Sequence, residues 1–317
     1  MIDNKNIKAL ITLLLFGPFF GEAVSMSTPL SAFILPQVII PLMMLYGLGL
    51  VIIHYLKTTK HLSTTSILLL GGVYGILEEG LSLKSFFNPN WKINELAIYG
   101  RVWGTNMVWS VSVTLYHVVV SIWVPLTLFE IFFPEYKYKP LLESKKSIVF
   151  AIILYFFSLL LFFIVWPYKV PTTPYLLTMI ITVILFLLAL KLHEDDFEKE
   201  KLTSSPLRIY FSGIAGFFLW VIFSWFMVES NIPWEVPFAL MIGLPLFVVI
   251  LSGGLNKYWD DKQKLVLITG IMTPMMILFP FLTETIPQAI VSIISIIILG
   301  RAFEHTKKRS DQNNIPS

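Results

Sequence analysis

Apolar runs of near-spanning length recur along the whole chain, separated by short polar or proline-bearing breaks. A helix needs about 20 mostly apolar residues to cross a hydrocarbon core roughly 30 Å thick. Runs of that kind fall at 8–25, 33–55, 64–87, 102–131, 147–166, 175–191, 208–228, 238–254, 265–281 and 286–302. The breaks carry Thr28–Pro29, Lys57–Lys60, Asn88–Pro89–Asn90, Pro134–Glu135, Pro167 to Pro174, His193 to Arg208, Asn231–Pro233, Asn256 to Lys264 and Thr283–Pro287. The pattern predicts an all-α, polytopic transmembrane helical bundle of about ten spans. It forms one integral membrane domain over residues 1–317, and the lipid bilayer is its first partner. Within it, residues 1–133 hold polar helices, 147–303 mostly apolar ones, and 304–317 a flexible tail. Lys5, Lys8, the first apolar run and Ala23-Val24-Ser25 also fit a cleavable signal peptide, which would leave nine spans.

Composition agrees with the pattern. Hydrophobic residues make up 56% of the 317 positions and charged residues 14%, with a mean hydropathy of +0.76. A soluble domain carries about 25% charged residues. The positions of the charges set the orientation. Of the 23 Lys and Arg residues, 19 lie in alternate segments beginning with the N-terminus, and four lie in the intervening ones. The positive-inside bias therefore predicts cytoplasmic N- and C-termini in a cell membrane. The net charge of +3 belongs to these loops and does not point to nucleic acid.

Several chemistries are excluded or unsupported. The chain has no cysteine, so thiolate metal sites, iron–sulfur clusters, disulfides and cysteine nucleophiles are absent. No lysine lies mid-span for a retinal Schiff base. His54, His61, His117, His193 and His305 offer no paired membrane positions for haem, and no phosphate-binding glycine loop indicates ATP. No cofactor is expected. His193 with Asp195 and Asp196 reads as part of a solvated mixed-charge loop rather than a metal site.

What remains is polarity buried in a few spans. An ionisable side chain at membrane depth costs at least ~2.5 kcal/mol, and such residues line cavities, pair, or do chemistry. The third span carries Gly71, Gly75, Glu78, Glu79 and Ser82 within about a third of the helix circumference. Counted from Ser66, helical rise puts Glu78 roughly 18 Å deep, in the outer half of the membrane. The fourth span carries Asn106, Ser110, Thr114, His117 and Ser121 within about 80° of arc. Ser112 falls off that stripe and is expected to satisfy itself on the preceding turn. Pro125 is expected to kink the inner end of this span. The first span adds Gly17, Gly21 and Glu22. The third break, with Lys84, Lys92 and Arg101, is the one expected outside segment rich in basic residues, and Lys84 and Arg101 are the natural counter-ions.

Adjacent glutamates on one span followed by a membrane histidine resemble the glutamic intramembrane proteases of the CAAX-processing and bacteriocin-immunity group. Their pattern is Glu-Glu-x-x-x-Arg, Phe-x-x-x-His and a later His-x-x-x-Asn or Asp. Glu78-Glu79 and His117 match, while Leu83 and Val113 stand where Arg and Phe are expected, and the third motif is missing. The resemblance implies water activation by Glu78 or Glu79 with His117 orienting it or stabilising an oxyanion. Gly21-Glu22, Tyr46-Gly47, Glu78-Glu79-Gly80, Lys84-Ser85-Phe86-Phe87, Tyr99-Gly100-Arg101 and His117 also resemble a family of uncharacterised prokaryotic multispan proteins.

Three functions follow as expectations. The first is a permease-like protein in which Glu22, Glu78, Glu79, Asn106, Ser110, His117, Lys84 and Arg101 form an outward acidic site for a cation, proton or small solute. The second is a hydrolase with Glu78, Glu79 and His117 as catalytic residues. The third is a non-catalytic scaffold or immunity protein.

Overall fold

A computed structural model describes residues 4–91, 98–193, 200–230, 232–255, 257–283 and 286–313. Lys92, Asp195 and Asp196 lie outside the described residues, and with them the reading of the His193 loop as solvated. Helices occupy all ten expected stretches. They are α1 (Lys5–Ala23), α2 (Pro36–Lys60), α3 (Thr64–Gly75 continued by Ile76–Ser82), α4 (Met107–Phe132) and α5 (Lys145–Val165). They continue with α6 (Thr172–Ala189), α7 (Pro206–Glu229), α8 (Glu235–Leu251), α9 (Asp261–Thr283) and α10 (Ile286–Asn313). Eight of these are long and apolar enough to cross a membrane; α8 is shorter, and α3 carries the glutamate pair. The architecture is an all-α helical bundle of a multi-pass membrane protein. α1 is an integral part of it, with Ala9, Leu13 and Phe20 packed into the interior. α10 runs as helix to Asn313, with His305 edge-on to Phe132.

Two boundaries differ from the apolar pattern. α3 stops at Ser82, not near residue 87, because Lys84 takes φ +61° and the Ser85 N–H turns back to the Glu79 carbonyl at 2.8 Å. α4 starts at Met107, not 102. Residues Arg101–Val102 (β1) and Thr105–Asn106 (β2) pair antiparallel around Trp103 and Gly104, both at positive φ. Asn106 then caps the helix by accepting from the Trp109 N–H at 2.8 Å.

Segments assigned to the same side by charge touch one another. Leu62 bridges to His193, and Glu200–Lys201 (β3) pairs parallel with Lys257–Tyr258 (β4). Lys5 pairs with Glu135 at 2.8 Å, and Asp261 receives Lys137 at 2.7 Å and Arg309 at 3.5 Å. At the opposite end the Tyr99 hydroxyl donates to the Ile232 carbonyl, and Gly104 lies against Pro171. The outward faces of α5, α6 and α10 are apolar, with Phe150, Ile164, Ile180 and Ile297 each more than half exposed, as lipid contact requires.

Lipid offers no hydrophobic drive between helices, so close packing relies on small residues. A Cβ on Gly17 would sit 2.7 Å from the Tyr46 carbonyl carbon, and one on Gly47 2.6 Å from the Leu14 carbonyl oxygen, so α1 and α2 meet backbone to backbone. Gly71 does the same against the Val118 backbone of α4, and Gly75 meets the Thr114 backbone and the His117 side chain, as the spacing predicted. A third contact, unread from sequence, sets Gly213 of α7 against the backbone of α9 around Gly270.

Gly17→Ala is expected to lower the melting temperature of the purified protein, at a cost of roughly 1–3 kcal/mol from overpacking. Gly300→Ala, whose Cβ meets nothing within 4 Å, is expected to leave it unchanged or raise it. Equal melting of the two variants would refute the α1–α2 backbone contact.

Candidate functional site

Glu22 of α1, Glu78 and Glu79 of α3 and His117 of α4 share a feature of the backbone. Each lies in a widened, π-helical turn: Glu22 in Phe19–Ala23, Glu78 and Glu79 in Ile76–Ser82, and His117 at the start of His117–Trp123. Tyr46 lies in a fourth, Met43–Gly47. Backbone bonds of the i→i−5 type close them, as from Val24 to Phe19 and from Leu83 to Glu78. Pro18, Pro41 and Pro125 adjoin three of these turns, where a missing N–H and a bulky ring already disturb the normal ladder. π turns are rare and recur at functional sites.

The widened turn on α3 decides the geometry. Residues i and i+1 of a regular helix do not face one partner, yet both glutamates reach His117. Glu78 Oε2 lies 3.7 Å from His117 Nδ1, and Glu79 Oε1 lies 3.7 Å from His117 Nε2. All three side chains are buried, and a ligating atom from each lies within 4.8 Å of the others. Gly75 makes the approach possible, since a Cβ there would meet the His117 Cβ at 3.0 Å. Ser121, one turn along α4, sits 3.0 Å from His117 Nδ1. The Tyr46, Tyr74 and Tyr116 rings surround the imidazole at centroid distances of 6.1, 5.8 and 5.8 Å.

The carboxylates are held unequally. Glu79 Oε2 accepts from the Ser85 hydroxyl, which in turn accepts from Trp109 Nε1 at 3.0 Å. Glu22 lies in an outer layer, where both its oxygens are taken, one by the Tyr46 hydroxyl and one by Thr28, each at 2.6 Å. Glu78 Oε2 and His117 Nε2 are fully buried without a hydrogen-bond partner, as is the Tyr74 hydroxyl. The site thus holds two polar atoms without a hydrogen bond, Glu78 Oε2 beside Nδ1 of the ring and His117 Nε2 beside Glu79 Oε1.

The remaining expected residues have other positions. Lys84 is buried, but its ammonium donates to the Phe163 carbonyl at 2.7 Å and lies over the Phe163 ring at 3.8 Å. It caps the C-terminal end of α5, where a cation meets the negative end of the helix dipole. Arg101 donates to the carbonyls of Phe87 and Gly104, each at 2.5 Å, and so fastens the β1–β2 hairpin. These bonds go to backbone oxygens, where counter-ions to the glutamates were expected. Asn106 is the α4 cap and Ser110 bonds its own helix at the Met107 carbonyl, so the far end of the polar stripe serves backbone. Ser112, expected to bond its own turn, instead shares a 2.7 Å hydrogen bond with Ser224 in the π turn of α7.

Sequence reasoning missed Tyr46, Thr28, Ser85 and Tyr74 as members of the site. A tyrosine in an apolar span is a signal, because its hydroxyl needs a partner when buried. It also missed Glu130, which pairs with Lys57 at the opposite end of the bundle, both largely buried. Glu78, Glu79 and Ser82 lie next to the end bearing residues 83–106, with Ser82 donating to the Leu159 carbonyl at 2.6 Å and Tyr175 to the Leu81 carbonyl at 2.9 Å. This is the half of the bundle predicted from helical rise.

No curated protein and no solved structure matches the chain. Residues 11–307 match the model of an uncharacterized membrane protein family, and the chain belongs to that family.

Proposed function

We propose that the protein is a small cation permease in which Glu78, Glu79 and His117 bind the cation near the outer side of a cell membrane. The supporting observation is the convergence of three buried ligating groups within 4.8 Å, with Glu78 Oε2 and His117 Nε2 unpartnered. Two carboxylates buried in apolar surroundings need a proton or a cation, since the cost of isolated charge there is prohibitive. Lys84 and Arg101 bond elsewhere, leaving that role to a bound species. A mixed carboxylate and imidazole set suits Zn²⁺ or Mn²⁺. Ser121 orients the ring from the ligand's far side, and Ser85 orients Glu79, as partners behind a metal ligand do. Irregular helix turns at membrane depth are also where transporters bind ions. Burial on all sides corresponds to an occluded state, in which both routes are closed.

A hydrolase is the second reading. His117 stands 3.7 Å from a carboxylate on either side, within reach of a shared water that Glu78 or Glu79 activates. Its resemblance to the glutamic proteases still lacks the arginine and the third motif.

Calorimetry on the purified protein is expected to show one Zn²⁺ or Mn²⁺ bound per chain, with affinity falling from pH 7 to pH 5 because the ligands must be deprotonated. Glu78→Gln with Glu79→Gln is expected to weaken binding beyond the roughly ten- to hundredfold typical of a lost outer-shell partner. The same pair should abolish cation uptake into proteoliposomes. Absence of binding, or binding without uptake, defeats the permease reading; in the second case a protease assay on membrane peptides decides for the hydrolase. Tolerance of every substitution would leave a scaffold.

Lys84→Met is expected to keep cation affinity within about twofold while losing a charge-assisted hydrogen bond worth roughly 1.5–3 kcal/mol. A lower melting temperature at unchanged affinity confirms the capping role. A large loss of affinity would restore the counter-ion role.

A further inference from the structure

A second feature lies on the other side of α4 and at the other end of the bundle. The inner halves of α3 and α4 stand apart from α7, α8 and α9 and leave a cavity of about 930 Å³. That is near the top of the ~300–1,000 Å³ range of small-molecule sites. Its walls are apolar, with Leu69, Val119, Phe217, Val248 and Ile271 among them. The mouth is polar and sits among the β3–β4 segment and the start of α3, with Thr64, Thr65, Lys257, Trp259 and Lys264 lining it.

The charges at this mouth are unevenly satisfied. Lys257 pairs with Glu200, Lys201 with Asp260 at 3.3 Å, and Lys137 and Arg309 with Asp261. Each of these acids is therefore occupied by another cation. The Lys264 side chain, half-buried in the first turn of α9, makes no ion pair or hydrogen bond among the described residues; the carboxylates that act on it, Glu130 and Asp261, are already paired with Lys57 and with Lys137 and Arg309. The same cavity also receives the N-terminal turn of α3, where Ser63 caps the Ser66 N–H at 3.2 Å and Thr64 and Thr65 follow. A helix N-terminus favours anions through its free N–H groups and dipole. Two sources of positive potential thus line one apolar chamber.

We propose that this cavity binds an anionic membrane lipid, its hydrocarbon chain lying along Leu69, Val119 and Phe217 and its phosphate held between Lys264 and the start of α3. Charge complementarity identifies the occupant: a neutral lipid would leave Lys264 only carboxylates already shared with other cations, and a soluble phosphate would leave the apolar walls wet. On the orientation given by the charge bias, the mouth faces the cytoplasmic leaflet, where anionic lipids are enriched. The inference is independent of the cation site. Tyr116 lies between the two, lining the cavity with one face and meeting His117 at 5.8 Å.

The test is retention of defined lipids by the purified full-length protein in a neutral detergent, read by native mass spectrometry. Phosphatidic acid is expected to be retained at least about tenfold over phosphatidylcholine with the same acyl chains, the equivalent of one charge-assisted hydrogen bond. Lys264→Gln should bring the two lipids to parity. Lys262→Gln, two residues away but exposed and outside the cavity, should leave the preference intact. Equal retention of the two lipids by the unaltered protein, or an undiminished preference in Lys264→Gln, overturns the proposal. So does full displacement by millimolar inorganic phosphate, which would show that the apolar chamber takes no part.

Discussion

The bundle is organised around the cost of placing two adjacent carboxylates in an apolar medium. Within the protein one imidazole lies 3.7 Å from both glutamates and one serine bonds Glu79, while Glu78 Oε2 keeps no hydrogen bond, and the neighbouring helices have little freedom once that contact is made. α4 has to bring His117 to α3 closely enough for both glutamates to reach it. That requires glycine at 71 and 75, because any side chain there would hold the helices apart. α2 supplies Tyr46, whose hydroxyl satisfies Glu22 of α1, and Gly17 and Gly47 permit that approach in turn. A chain of close contacts therefore runs from the acid pair outward through four helices.

π turns convert these contacts into a site. In a regular helix, adjacent glutamates would diverge by 100° and one would point toward lipid or an apolar neighbour. The wide turn at Ile76–Ser82 turns both inward at a local loss of regular hydrogen bonding. Comparable turns at Glu22, Tyr46 and His117 mean that the polar side chains of four helices are aimed by the same device. The irregular backbone is buried in protein rather than exposed to lipid, which is the condition under which a membrane tolerates it.

The later helices do different work. α5 and α6 cover the acid pair from one side, with Leu159 and Tyr175 bonded to the end of α3. α7, α8 and α9 pack through small residues and present apolar faces to the bilayer. Their separation from α3 and α4 at the β3–β4 end opens the cavity beside Lys264. The bundle thus has a polar, closed site at one end and an apolar, open one at the other, with α4 shared between them.

The apolar periodicity was enough to locate ten helical stretches, because a spanning helix has a length set by the bilayer and leaves a signal that packing does not alter. Alternation of charge grouped the loops correctly into two ends, as the Leu62–His193 and Lys137–Asp261 contacts show. Glu78, Glu79 and His117 were legible because ionisable residues are costly at that depth. Tertiary structure decided the rest. Lys84 and Arg101 lie near the acids in sequence, yet nearby backbone carbonyls compete for a cation, and only the fold shows that the carbonyls of Phe163, Phe87 and Gly104 hold them. The polar stripe follows 100° per residue, but α4 begins only at Met107, so Asn106 caps the helix and Ser110 bonds the Met107 carbonyl, while Ser121 and the tyrosines complete the cluster around His117. Periodicity along one helix describes a face; which partner meets that face depends on backbone approach distances that no single segment encodes.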